Sequence, residues 1–193
     1  MKNIAPLLDT SVKTVSGRTL AENLAQVVAP PNDMIHTMDD PILEEGGLAV
    51  VKGTLTPTGA IIKHAGSRNR KLLQHKGPAL VFNGGQEAWQ ELAREDLQVT
   101  EDHVLVLRYE GPKAAYMPER GALPIPIPLA RKGMVDILRV NECRMSGTNF
   151  GSIVLHISPE AYVGGPLAVV QDGDMIELHL EHRRLDLLVP ERE

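Results

Sequence analysis

Short apolar runs bounded by Gly, Pro, Asn or Asp dominate the chain from residue 46 onward. Runs of this length and punctuation are typical of β-strands. About eight strands are predicted, in the runs AVVKG, PALVFN, HVLVLRY, MVDILRV, SIVLHI, LAVV, MIELHLE and RLDLLV. Between residues 153 and 189 several of these runs follow one another across tight turns. That pattern indicates a closed or sandwiched β unit rather than a doubly wound sheet.

Three segments carry helical signals instead. Thr19 and Glu22 have the spacing of a capping box, in which each side chain satisfies the other residue's free backbone N–H, and they predict a short helix over 19–28. Start and stop residues and apolar spacing predict two more helices, over 67–75 and 86–94.

The predicted fold class is α+β. The aromatic content is 3%, so the core must consist mainly of Val, Ile, Leu and Ala, which suit sheets buried on both faces as well as helices. We expect a mixed β-barrel-like domain of about eight strands with flanking short helices over residues 46–193. An N-terminal helix and an extended connector, over residues 1–45, precede it.

Charge and composition exclude several functions. The net charge is -5, and no stretch concentrates Lys and Arg on one face, which argues against nucleic-acid binding. No run of 18 apolar residues and no secretory signal are found, so we expect a soluble, cytoplasmic protein without membrane contact. The single cysteine, Cys143, excludes an internal disulfide and cannot alone supply the thiolates of a metal cluster. The expected ligand is a small molecule.

Two segments combine reactive side chains with glycines directly after apolar strands, where sites are commonly built. One covers residues 108–120 and the other residues 141–151. In the second, Ser146, Gly147 and Thr148 place two hydroxyls beside unhindered backbone N–H groups. Such a set can bind an anion, or a serine beside a metal can act as a base, but an ordinary Ser-Gly-Thr turn is equally open.

Several separated motifs occur in a fixed order: TVSGRTLAENL, DDPI, GTLTPTGAIIK, RYEGPK, MPE, ECRMSGTNFG, HISPEAYVGGPLAVVQDGDMIEL and RRLDLLV. In these motifs, from about Val12 onward, the chain resembles the C-terminal domain of the dihydroxy-acid dehydratase / phosphogluconate dehydratase family. Members of that family remove water from 2,3-dihydroxy carboxylic acids. The segment RMSGT, followed by an aromatic residue and Gly151, is closer to the sugar-acid (aldonate) branch than to the branched-chain branch.

The resemblance implies roles for three residues. Ser146 matches the serine that acts, as an alkoxide, as the base removing the proton from C2 of the substrate. Glu119 matches a carboxylate that helps to hold the active-site Mg²⁺, an ion that prefers oxygen ligands. Thr148 is expected to line the same pocket. The implied reaction converts aldonates to 2-keto-3-deoxy acids.

Loop position adds the substrate-binding candidates Lys113, Arg144 and Gly147. The first two are the nearest cations for a substrate carboxylate, and the third offers a free backbone N–H. Two positions depart from the family pattern. The residue before MPE, often glycine in the family, is Tyr116, and the acidic residue that opens the loop containing Ser146, usually aspartate, is Glu142.

The resemblance also implies an N-terminal domain or subunit as partner, carrying the iron–sulfur cluster and the remaining magnesium ligands. We therefore expect this chain to be inactive alone. Two alternatives for the function stay open: a branched-chain dihydroxy-acid substrate, and a non-catalytic module that binds a small acid or a partner. A homo-oligomeric state also stays open.

Overall fold

The computed structural model describes residues 1–28 and 34–188. The first part of the predicted connector, residues 29–33, and the end of the last predicted strand, Val189, lie outside the described residues. The chain divides into two compact units, residues 1–46 and residues 47–193. Each is described by itself.

The first unit holds a 3-10 helix, Lys2–Leu7, and helix α1, Leu20–Ala25. The predicted capping box is present: the backbone N–H of Glu22 donates to Thr19 Oγ1 at 3.2 Å, and the N–H of Thr19 donates to Glu22 Oε2 at 2.7 Å. The helix predicted over 19–28 is thus confirmed, although it ends at Ala25.

The second unit is built on one eight-stranded sheet. Its strands are β1 (Ala49–Val51), β2 (Gly59–Ile62), β3 (Gln74–Asn83), β4 (Val104–Arg108), β5 (Arg139–Asn141), β6 (Ile153–Ser158), β7 (Met175–His179) and β8 (Arg184–Leu188). The strand order is β1-β2-β6-β5-β4-β3-β7-β8. The four central strands β6, β5, β4 and β3 are parallel, and the outer pairs on both sides are antiparallel.

The two outermost strands meet, which nearly closes the sheet into a barrel. Lys52, directly after β1, forms a bridge with Arg184 of β8. The N–H of Lys52 donates to the carbonyl of Arg183 at 2.9 Å, and the N–H of Leu185 donates to the carbonyl of Lys52 at 3.0 Å. The α+β, barrel-like fold class is confirmed.

Strand β4 shows how the core sits on both faces of the sheet. Val104 and Val106 belong to a large apolar cluster to which all eight strands contribute, whereas Leu105 and Leu107 belong to a second cluster on the other face. All four are fully buried. Helix α2, Gly85–Leu92, covers the second cluster through Ala88 and Leu92, so the helix predicted over 86–94 is confirmed.

The remaining helices are short: α3 is Pro112–Ala115 and α4 is Ile127–Ala130. Further 3-10 helices are His64–Gly66, Arg70–Leu73, Ala161–Val163 and Pro166–Val169. Across residues 1–28 and 34–188, no helix has the length and apolar character needed to cross a membrane.

The structure differs from the sequence predictions at three places. The run LAVV is not a strand: its first three residues lie in the 3-10 helix Pro166–Val169, because proline at the first position fixes a helical φ and removes a backbone donor. Strand β2, in GAII, was not predicted. The helix predicted over 67–75 is only the 3-10 helix Arg70–Leu73, since the backbone from Gln74 onward pairs with β7 instead.

Candidate functional site

The loops selected from the sequence lie where the parallel strands end. The first follows β4 and the second follows β5. Because β3 to β6 run parallel, their carboxyl ends share one edge of the sheet, which is where parallel sheets usually bind ligands. The motif segment 159–165 follows β6 at the same edge.

Hydrogen bonds join the two loops. Arg144 Nε donates to the carbonyl of Met117 at 2.9 Å, and the Arg144 N–H donates to the carbonyl of Pro118 at 3.3 Å. The N–H of Gly121 returns a bond to the carbonyl of Arg144 at 3.0 Å. The MPE segment, Met117 to Glu119, therefore lies directly against the start of the serine loop, residues 142–151.

Within the serine loop, Ser146 Oγ and Thr148 Oγ1 are 2.9 Å apart and share a hydrogen bond. The N–H of Asn149 donates to the carbonyl of Ser146 at 3.1 Å and closes a turn. Ser146 is half-buried, and Gly147 and Thr148 are exposed. The segment is thus a turn that leaves its hydroxyl pair and the Gly147 N–H accessible to a ligand.

Lys63, which the sequence analysis missed, fixes the far side of this turn. Its Nζ donates to the carbonyls of Gly147 and Asn149, the latter at 3.3 Å. The same ammonium lies 5.5 Å from the ring centre of Phe150, and the guanidinium of Arg68 lies 5.3 Å from it. The only sequence signal was its place at the end of the motif GTLTPTGAIIK.

Glu119 has an exposed side chain on the loop that contacts Arg144. An accessible carboxylate suits magnesium, which prefers oxygen ligands. Among the residues the structure describes, no group of three or more His, Cys, Asp or Glu is arranged to hold a metal ion. The described residues therefore offer Glu119 as a single accessible carboxylate and do not form a complete metal site.

Buried carboxylates, a second feature that sequence reasoning missed, shape the loops at this edge. Glu142 is fully buried and accepts backbone N–H bonds from Glu110 at 3.0 Å, Gly111 at 3.3 Å and Ala161 at 2.6 Å. Burial raises the pKa of Glu142, although the backbone N–H groups oppose that shift. Glu142 thereby ties the loops after β4 and β6 to the serine loop.

Lys113 is held by a neighbouring carboxylate. Its backbone N–H donates to Glu160 Oε1 at 2.8 Å, while its ammonium-bearing side chain is exposed. Glu160 is itself buried. The backbone is fixed and the charged end is free to reach a ligand.

The last residue of ECRMSGTNFG is a glycine for a steric reason. Gly151 has a φ of +129°, and a Cβ there would lie 2.5 Å from Nη1 of the buried Arg139. Arg139 pairs with Asp136 at 3.4 Å, and Asp136 also accepts the N–H of Ser152 at 2.9 Å. Burial lowers the pKa of Arg139, and Asp136 opposes the shift. This pair anchors the end of the serine loop.

Cys143 does not fit an iron–sulfur cluster. The side chain is fully buried, and burial is the main cause that raises the pKa of its thiol to about 12. Cluster ligands are thiolates. A buried thiol with a raised pKa is therefore unsuited to be a cluster ligand.

A cavity of about 430 Å³ opens between the loops after β4 and β6. Lys113, Met117 and His156 line it, with Glu142 and Val163. Burial lowers the pKa of His156, and the positive charge of Arg144 lowers it further. The cavity therefore lies next to Arg144, whose side chain joins the MPE segment to the serine loop.

Comparison with known proteins agrees with the motifs. The dihydroxy-acid/6-phosphogluconate dehydratase C-terminal family matches residues 33–193. The chain belongs to this family. The resemblance in the sequence is thus confirmed, and the site described above lies within the matched dehydratase domain.

Three relatives of this dehydratase family illustrate its range. The chain is 42% identical to 6-deoxy-6-sulfo-D-gluconate dehydratase of Pseudomonas putida, over 100% of this chain and 34% of that protein. It is 40% identical to L-arabinonate dehydratase of Rhizobium leguminosarum, over 98% and 33%. It is 38% identical to dihydroxy-acid dehydratase of Methanococcoides burtonii, over 100% and 35%. The chain spans about a third of the length of these relatives.

Proposed function

We propose that the chain is the C-terminal domain of a hydro-lyase that dehydrates sugar acids (aldonates) to 2-keto-3-deoxy acids, with Ser146 as general base. The observation that carries the proposal is the contact between the serine loop and the MPE segment through Arg144. That contact puts the candidate base and the candidate metal ligand Glu119 on adjoining loops. The names of two relatives, which act on a sulfo-gluconate and on L-arabinonate, support the substrate class.

In this mechanism Ser146, as an alkoxide, takes the proton from C2 of the acid. The electrons of that bond form a double bond between C2 and C3, and hydroxide leaves C3. The proton and the hydroxide together make the released water, and the enol becomes the 2-keto-3-deoxy acid by tautomerisation.

The remaining residues position the substrate and the base. Thr148 Oγ1 shares a hydrogen bond with Ser146 Oγ and orients it. Lys113 and Arg144 supply positive charge for the carboxylate, and the Gly147 N–H supplies a further donor. When bound through Glu119 and ligands from outside this chain, Mg²⁺ supplies the charge that favours ionised oxygen at the serine and the substrate.

The partner in this proposal is the part of the protein that precedes the domain in its longer relatives, and it holds the iron–sulfur cluster. The chain alone is therefore inactive. A branched-chain dihydroxy acid is the second candidate substrate. The mainly apolar cavity walls at Pro112, Met117 and Val163 favour it, as does the name of the relative from Methanococcoides burtonii.

Ser146→Ala in the longer protein that carries this domain tests the proposal. The change removes the proposed base and little else, so turnover of aldonates falls on the order of a hundredfold or more while the melting temperature stays unchanged. Steady-state kinetics and thermal unfolding measure the two effects. Ser16→Ala, at an exposed serine of the first unit, is the matched control.

Near-normal turnover in Ser146→Ala would make Ser146 a turn residue and contradict its role as base. If the unaltered longer protein converts neither aldonates nor 2,3-dihydroxy-3-methylbutanoate, the non-catalytic binding module becomes the better description of this domain.

A further inference from the structure

One peptide unit of the serine loop forms hydrogen bonds at both of its ends. The N–H of Thr148 donates to Ser146 Oγ at 3.4 Å. The carbonyl of the same peptide unit, that of Gly147, accepts a hydrogen bond from Lys63 Nζ. Hydrogen bonds in such a chain polarise one another, so a positive charge at the carbonyl makes the N–H a stronger donor. This peptide unit therefore connects the charge of Lys63 to the oxygen of Ser146.

The position of Lys63 is set by the sheet. Lys63 directly follows β2, in which Ile62 pairs with Val154 of β6, the strand that the serine loop enters. The N–H of Gly151 donates to the carbonyl of Gly66 at 2.7 Å, which binds the end of the loop to the segment after Lys63. Backbone contacts thus hold the lysine beside the turn, and its side chain reaches the Gly147 carbonyl from a different part of the chain.

The charge of Lys63 is directed at the turn. Lys63 is half-buried, and within residues 1–28 and 34–188 it forms no ion pair with a carboxylate. Its ammonium donates to the carbonyls of Gly147 and Asn149 and lies 5.5 Å from the ring centre of Phe150. A partly buried charge is screened less by water and salt than an exposed one. The ammonium therefore acts mainly on these two carbonyls.

The surroundings of Ser146 Oγ suit an ionised oxygen. Thr148 Oγ1 lies 2.9 Å from it, and when Ser146 is ionised the threonine hydroxyl is the donor. The O–H and the N–H of Thr148 then both point at the same oxygen. Donors that are already in place stabilise negative charge that develops in a reaction. A serine turn of this type forms without a lysine, so the ammonium at its carbonyl is an additional feature that local turn chemistry does not require.

We propose that Lys63 is a positioning residue for the candidate base, and that it stabilises the ionised form of Ser146 through the peptide unit between Gly147 and Thr148. The inference rests on the proposed function for the role of Ser146. The serine hydroxyl releases its proton to water, and the alkoxide then takes the proton from C2 of the substrate. Lys63 moves no proton in this scheme, and it lowers the free energy of the charged oxygen relative to the neutral one.

Other charged groups lie on the serine loop or on the elements packed against it. They are Arg68, Glu119, Asp136, Arg139, Glu142 and Arg144. His156 also lies nearby, and burial and Arg144 lower its pKa. All of these groups are unchanged among the lysine variants compared below. A difference between those variants therefore reports on Lys63.

Ser146→Cys in the 193-residue chain makes the environment of this side chain measurable. The introduced thiol is alkylated with iodoacetamide over a range of pH, with a chelator present, and the rates give its pKa. Cys143 does not interfere, because it is fully buried and the pKa of its thiol is raised to about 12. We expect the introduced thiol to have a pKa about 1 below the ordinary value of about 8.5.

Three changes of Lys63, each combined with Ser146→Cys, separate its charge from its hydrogen bonds. Lys63→Met removes both and should raise the thiol pKa by about 1, to the ordinary value. Lys63→Gln keeps a donor but no charge and should raise the pKa about half as far. Lys63→Arg keeps both and should leave the pKa nearly unchanged.

Arg68→Met, also combined with Ser146→Cys, is the matched control. The guanidinium of Arg68 lies 5.3 Å from the ring centre of Phe150, so it is a second cation on the same ring. Among the described residues it donates to no carbonyl of the turn from Ser146 to Asn149. Its removal should leave the thiol pKa unchanged. Thermal unfolding of each variant checks the fold, and if Lys63→Met is less stable, the comparison of Lys63→Gln with Lys63→Arg decides.

Equal thiol pKa values in Lys63→Gln and Lys63→Arg would overturn the inference, since the charge would then have no effect. An increase in Arg68→Met as large as that in Lys63→Met would also overturn it, because any nearby cation would then be sufficient. The readout is a thiol titration, so it does not depend on turnover. A pKa that depends on Lys63, together with normal turnover of Ser146→Ala in the longer protein, would support the polarised peptide unit and contradict the proposed function.

Discussion

Tyr116 illustrates how backbone conformation explains a departure from the family pattern. The residue ends α3 with a φ of +58°, and its side chain is 94% exposed. Glycine adopts this conformation freely, which accounts for its expected occurrence at this position in the family. A tyrosine here costs about 1 kcal/mol of conformational energy. Nothing within the described residues explains why a tyrosine is present.

Glu119→Gln should weaken the proposed magnesium site without affecting the fold. An amide oxygen is a poorer ligand than a carboxylate, so turnover of the longer protein falls at limiting magnesium and is partly restored by excess magnesium. The side chain is exposed, so the melting temperature should stay the same. Turnover is measured against magnesium concentration.

The matched control for this titration is Glu101→Gln, another exposed glutamate, on the loop before β4. A Glu119→Gln enzyme whose loss does not respond to magnesium would argue against metal binding by Glu119.

At single positions, the sequence was informative where reactive residues accompany glycines. Ser146 and Glu119 became candidates because their motifs are specific, and their roles stay predictions. Cys143 is buried, as a lone thiol often is. Lys63 could not be identified, because one lysine at a strand end has no pattern. The sequence indicated Glu142 only as a departure from the family pattern. Its burial was not predictable, since glutamate is rarely buried and its three backbone partners come from distant loops.

Among the secondary-structure elements, the strands with long apolar runs were predictable and the short ones were not. Strand β4 is buried on both faces, and its continuous apolar run made the strand predictable from the sequence. Strand β2 spans only Gly59–Ile62 and is flanked by turn-forming residues, so its apolar run is too short to predict a strand. Strand β5 is three residues long because only Arg139 and Val140 of the run MVDILRV pair in the sheet, together with Asn141 directly after it. Pairing partners are set by tertiary contacts that local patterns do not contain.

Glu142→Gln should destabilise the edge of the barrel that carries the site. The amide has one acceptor oxygen in place of two, so at least one buried N–H, of Glu110, Gly111 or Ala161, loses its partner. The expected loss is about 1–3 kcal/mol in the free energy of unfolding. Urea unfolding followed by circular dichroism measures it.

Glu119→Gln is the control for this loss, because it makes the same chemical change at an exposed position. If the two variants are equally stable, the buried carboxylate is not a tie between loops.

For the whole molecule, folding of the barrel should not depend on a metal ion. Two apolar clusters on the faces of one sheet and several buried, hydrogen-bonded carboxylates hold the second unit together. We therefore expect a chelator to leave the melting temperature of the chain unchanged, as measured by scanning calorimetry. A large decrease, reversed by added magnesium, would contradict this prediction.

The contact between Lys52 and β8 also affects how copies of the protein behave at high concentration. An open sheet presents unpaired N–H and C=O groups along its outermost strands, and these groups can pair with another molecule. Here the bonds of Lys52 to Arg183 and Leu185 occupy such groups within the same chain. The closure thereby protects the protein against edge-to-edge aggregation, because it pairs within one chain backbone groups that an open sheet would leave exposed.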